Sequence, residues 1–67
     1  MIQVSINGAA REFPAVLNIA ELVIALELTG KRIAIEQNGE IVPKSQYEQT
    51  MLQDGDVLEM VVAVGGG

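Results

Sequence analysis

Cysteine and histidine are both absent, and the aromatics amount to one phenylalanine and one tyrosine. Without cysteine, no disulfide can brace the fold and no side-chain thiol can carry sulfur or an acyl group. Without either residue, Cys/His zinc centres and Ser-His or Cys-His nucleophiles are excluded. Basic residues are scarce: 4 against 9 acidic ones, for a net charge of −5. That balance argues against nucleic acid, whose phosphates need a basic face, and against adhesion to anionic membranes. No hydrophobic run approaches the roughly 20 residues of a membrane-spanning helix. No charged n-region followed by an apolar stretch opens the sequence, so the expectation is a cytoplasmic protein without a signal peptide. Neither GxxxxGK[ST] nor GxGxxG occurs, so no phosphate-cradling loop is available. Carboxylates are present but in no recognisable pair. An enzyme acting by itself is not expected, and no bound metal or cofactor is implied.

What remains is a compact aliphatic domain. The 67 residues allow a single unit, and hydrophobic residues make up 49% of them. Ile2, Val4 and Ile6 alternate with polar residues, as in a half-buried strand. Asn7-Gly8 then supplies a type I′ turn into a second strand over 9–13, with Phe13 opposite Ile2. Arg11 falls on the inner face, a misfit that snorkelling or a bulge would relieve. Pro14 ends the strand. Asn18 and Glu21 form a capping box, with Leu17 and Leu22 at the staple positions. Ile19, Leu22, Val23 and Leu26 then mark the buried face of a helix over 19–28, with Gly30 placed to end it.

Ile33 and Ile35 begin a third strand. Asn38-Gly39 turns into a short fourth one at 40–42, and Pro43 stops it. A loop with one helical turn follows over 44–51. Asp54-Gly55-Asp56 is a turn, and Val57–Val62 is the last strand. In it Leu58 and Met60 point inward, while Val57 and Val61 point outward. Met51 and Met60 read as core fillers. A hairpin, one crossover helix and a returning strand beside the first predict an α+β fold of the β-grasp (ubiquitin-like) type. Its mixed sheet has four to five strands, with one helix packed across it.

The sequence closes Ala63-Val64-Gly65-Gly66-Gly67. At average glycine usage, three in a row arise about three times in ten thousand, so chance is a poor account. A floppy end or a cloning scar would tolerate them. The functional alternative is that 63–67 is a flexible tail, extended and bare enough to thread a narrow crevice. It would deliver the Gly67 carboxylate to another protein's active site, where adenylation activates its carbonyl. Val57, Val61, Val62 and Val64 would form an apolar docking patch beside the tail. Glu40, Glu48, Asp54, Asp56 and Glu59 could steer a basic partner.

Three stretches carry a resemblance in order along the chain: Ile35-Glu36-Gln37-Asn38-Gly39-Glu40-Ile41-Val42-Pro43-Lys44-Ser45-Gln46-Tyr47, Leu52-Gln53-Asp54-Gly55-Asp56 and Val62-Ala63-Val64-Gly65-Gly66-Gly67. Together they resemble the ThiS family of thiamine-pathway sulfur carriers. The resemblance implies that Gly67 is adenylated by an E1-like, ThiF-type enzyme using ATP. A sulfur donor such as a cysteine desulfurase then supplies the atom that makes it a thiocarboxylate, and a ThiG-type thiazole synthase consumes it. Gly65 and Gly66 would form the threaded arm. A molybdopterin-synthase-type sulfur carrier, a ubiquitin-like modifier conjugated through Gly67, and a plain binding module stay open as alternatives.

Overall fold

The computed structural model describes residues 1–63. Strands β1 (Ile2–Ile6) and β2 (Ala9–Phe13) form the opening hairpin, and helix α1 (Ile19–Ala25) follows. Strands β3 (Ile33–Gln37) and β4 (Glu40–Val42), a single 3₁₀ turn (Lys44–Gln46) and strand β5 (Val57–Val62) complete the order. The sheet order is β2-β1-β5-β3-β4. Strand β5 lies in the middle, parallel to β1 and antiparallel to β3. This is the expected β-grasp arrangement, with all five strands formed.

Alternation along the strands decides which face is covered. Ile2, Val4, Ile6, Ile35, Val42, Leu58 and Met60 share one core with Ile19 and Leu22 of the helix and with Tyr47 and Leu52. Burying each aliphatic side chain contributes about 1.5–3 kcal/mol, the main source of stability in so small a fold. Both turn asparagines adopt positive φ, 51° at Asn7 and 52° at Asn38, each before a glycine at 84° or 87°. That is the type I′ geometry, whose twist matches that of the flanking strands. The β1–β2 register runs unbroken from Ile2↔Phe13 to Ile6↔Ala9. No bulge relieves Arg11; it stays exposed on the outer strand, where its guanidinium reaches water.

The helix starts as expected. The Asn18 side chain accepts from the Glu21 N–H at 2.7 Å, and the Glu21 carboxylate accepts from the Asn18 N–H at 2.9 Å. Its end differs. The helix stops at Ala25 rather than near Leu28, and the left-handed residue is Glu27 (φ 60°), not Gly30. The Leu28 N–H donates to the Val23 carbonyl at 2.9 Å, and the Glu27 N–H to that of Ile24 at 3.0 Å. These two bonds make a Schellman motif and bring Leu28 back over the core beside Val23. Gly30 (φ 83°) serves a second reversal, in which the Lys31 N–H donates to the Leu28 carbonyl. Met51 is the other departure. It is exposed, since its short bridge to Asn18 leaves burial at that point to Leu52.

Candidate functional site

The candidate site is built around the outlet of β5. Asn38 fixes the strand's entry: its N–H donates to the Val57 carbonyl at 2.7 Å, and its Oδ1 accepts from the Val57 N–H at 2.9 Å. Asn7 holds the middle: its Oδ1 accepts from the Met60 N–H, and its Nδ2 donates to the Met60 carbonyl. Both asparagines therefore do more than the turns expected of them. At the outlet, the Ala63 N–H donates to the Arg32 carbonyl at 2.8 Å, carrying the β3–β5 ladder past the strand. Val64, Gly65, Gly66 and Gly67 lie outside the described residues.

Asp56 does not serve as a surface acid. It is buried and accepts from the Gln53 N–H (2.9 Å), Gln37 Nε2 (2.8 Å) and Asn38 Nδ2 (3.1 Å). Burial pushes its carboxyl up, but these hydrogen bonds together outweigh burial and hold it below the usual carboxylate range. Asp54 is also engaged locally, accepting from the Gln3 N–H at 2.8 Å. Their loop closes the sheet end opposite the outlet, because β5 runs away from it. Glu40, Glu48 and Glu59 remain exposed. Burial likewise raises the pKa of Tyr47.

The valines singled out from the sequence separate. Val57 and Val61 are 52% and 68% exposed on the sheet face away from the helix. Val62 alternates onto the helix side, beside Arg11 and Leu28. Strand geometry therefore keeps Val62 out of a patch with Val57 and Val61.

Two further members of the open face went unread in the sequence. Ile41 is 72% exposed and pairs with Glu36, which pairs in turn with Glu59. Directly paired residues share a face, so Ile41, Glu36 and Glu59 form a row between Val57 and Val61. The inward position of Val42 was the available signal for Ile41. The carboxylate pair depended on a register that no local pattern supplied. The open face thus sets the carboxylate pair among Val57, Val61 and Ile41, with Ser5 and Gln3 continuing it on the β1 side, and its Val61 end adjoins the outlet. Among the described residues no group of three His, Cys, Asp or Glu could hold a metal ion, and no helix is long and apolar enough to cross a membrane.

The model of the ThiS family matches residues 4–67. A thiazole synthase of Paramagnetospirillum magneticum is 45% identical over 62 residues, covering 92% of this chain. The chain spans only 19% of that protein's length. The sulfur carrier protein ThiS of Bacillus subtilis is 41% identical over 49 residues, covering 73% of this chain and 74% of its own. Among solved structures, the crystal structure of the thiamine biosynthesis protein ThiS from Geobacter metallireducens superposes with a TM-score of 0.83. It is 29% identical and covers 98% of this chain and 100% of its own.

Proposed function

The chain belongs to the ThiS family, and from that premise we propose that it is a sulfur carrier of thiamine biosynthesis, a co-substrate with no catalytic machinery of its own. The single observation that supports the reading is that the family match runs through residue 67 and so includes the run Gly65-Gly66-Gly67, which we take as the reactive arm.

The chemistry asks little of the carrier. A free α-carboxylate on Gly67 attacks the α-phosphorus of ATP, and pyrophosphate leaves. The resulting acyl-adenylate is attacked at its carbonyl by the outer sulfur of a persulfide on the sulfur donor, and AMP leaves. A thiol then attacks the donor-side sulfur of this acyl disulfide, freeing the thiocarboxylate and leaving a disulfide, and the thiocarboxylate sulfur goes to the forming thiazole. Every catalytic group belongs to the partners: a ThiF-type adenylating enzyme that binds the ATP, a sulfur donor such as a cysteine desulfurase, and a ThiG-type thiazole synthase. These steps are placed in the cytoplasm. The carrier contributes an arm without side chains beyond hydrogen, so the crevice around the reacting carbonyl can be narrow.

The open face fits the first partner. Val57, Val61 and Ile41 offer apolar contact around the Glu36–Glu59 pair. A complementary enzyme surface would be apolar with a basic centre. The arm and the face act together: the face fixes orientation, and the arm reaches the nucleotide.

Intact-mass measurement tests the reading. The protein is incubated with ATP, the adenylating enzyme and a sulfur source. One oxygen-for-sulfur exchange, absent when Gly67 is removed, supports it. An unchanged mass with an enzyme of demonstrated activity would reject it.

A further inference from the structure

The chain has four basic residues in all: Arg11, Lys31, Arg32 and Lys44. Three of them, Lys31, Arg32 and Lys44, rim one groove of about 480 Å³ on the helix side of the sheet, and among the described residues no carboxylate lines it. Lys44 lies 12 positions beyond Arg32 and is brought there by the β3–β4 hairpin. The groove walls are apolar, formed by Val23, Leu28 and Ile33, with Ile24 standing 66% exposed at the rim. In a protein of net charge −5, this is a local reversal of sign. Its lip is the outlet itself, because Arg32 accepts from the Ala63 N–H.

The opposite sheet face, with Glu36 and Glu59 in a row, has the complementary character. The two surfaces flank one outlet and cannot suit the same partner patch. The Paramagnetospirillum thiazole synthase gives a reason for two. A segment like this chain makes up 19% of that protein. A carrier joined to its acceptor must still meet an adenylating enzyme, and two separate faces would let it engage the one while it stays on the other.

We infer that the Lys31–Arg32–Lys44 groove is a second docking site, which takes an acidic, apolar-anchored segment of the thiazole synthase and leaves the open face to the adenylating enzyme. This inference rests on the sulfur-carrier reading. The apolar walls take the anchor, and the three cations pair with the carboxylates around it. Desolvation at the groove makes those pairs more selective than they would be on an open surface.

The test is calorimetric binding of the full chain to each enzyme. Wild type is compared with the double variant Lys31→Glu/Arg32→Glu, with Lys44→Glu, and with Ile24→Ser. All four positions are exposed, so melting temperatures should stay near wild type. The groove variants should bind thiazole synthase at least about tenfold more weakly, yet bind the adenylating enzyme within about twofold of wild type. Val61→Asp should do the reverse. Raising salt should weaken wild-type binding to the synthase more than it weakens that of the double variant. Unchanged synthase affinity in the groove variants, or equal losses for both enzymes, would overturn the second site while leaving the carrier reading intact. Failure of wild type to bind either enzyme would instead overturn the carrier reading itself, and the groove assignment with it.

Discussion

Asn7 and Met60 are joined twice, the Met60 N–H donating to Asn7 Oδ1 at 2.8 Å and Asn7 Nδ2 donating to the Met60 carbonyl at 3.1 Å. The backbone pairing of β1 with β5 reaches only Ile6↔Leu58. Beyond it, a side chain from the first hairpin turn continues the ladder. One short residue thus closes the turn and holds the strand that leads to the glycine run. Replacing it isolates the second role. Asn7→Gly keeps the positive φ but removes both bonds to the partly buried Met60 backbone. Urea unfolding should show a loss of about 1–3 kcal/mol. Asn7→Asp keeps the acceptor alone and should fall between.

The left-handed residue at the helix end is strained. Glu27 occupies φ 60°, where a residue with a Cβ costs roughly 1–2 kcal/mol. Glu27→Gly should therefore stabilise by about 0.5–1 kcal/mol, after the added unfolded-state entropy of glycine is subtracted. Gly30→Ala should destabilise by about 1 kcal/mol, since Gly30 sits at φ 83° with open space around it and only the backbone objects. Paired thermal melts check both signs.

Asp56 ties stability to acid. Its carboxyl titrates below the usual range when folded, so the unfolded chain takes up the proton first as pH drops. The stability it contributes is fully present above about pH 4, the unfolded value, and is lost as pH falls through the lower folded one. Unfolding followed between neutrality and strong acid should steepen there. Asp56→Asn should lower stability at neutral pH and flatten that part of the curve.

Glu36 and Glu59 oppose one another across β3 and β5, a like-charge pairing that costs stability. Glu59→Thr should raise stability by about 0.2–1 kcal/mol, replacing repulsion with a good strand residue. The same change should slow association with the adenylating enzyme and weaken its salt dependence. A stopped-flow series over ionic strength decides whether the pair has the steering role.

The arm itself is tested at its penultimate residue. Gly66→Val should leave the melting temperature unchanged and cut adenylation by at least about tenfold, because a β-branched side chain resists a narrow passage. Pyrophosphate release measures it directly. Normal release would remove the threading argument.

The local elements were written plainly in the chain. Asn-Gly pairs, the Asn18–Glu21 box and period-two alternation depend on neighbours a few residues apart, so short-range chemistry decides them. The same holds for the glycine run, whose meaning is the absence of side chains. Other features were decided only when the strands met. The left-handed stop fell at Glu27, two residues past the helix, because Leu28 had to turn back onto a core made of distant residues. Asp56 became an internal acceptor because Gln37 and Asn38 arrive beside it from another hairpin. Glu36 met Glu59 through register. Lys44 joined Lys31 and Arg32 through a chain reversal. Sequence by itself determined which segments turn, coil or extend. Only tertiary structure decided which charges and apolar groups share a surface, because that depends on pairings between residues far apart along the chain.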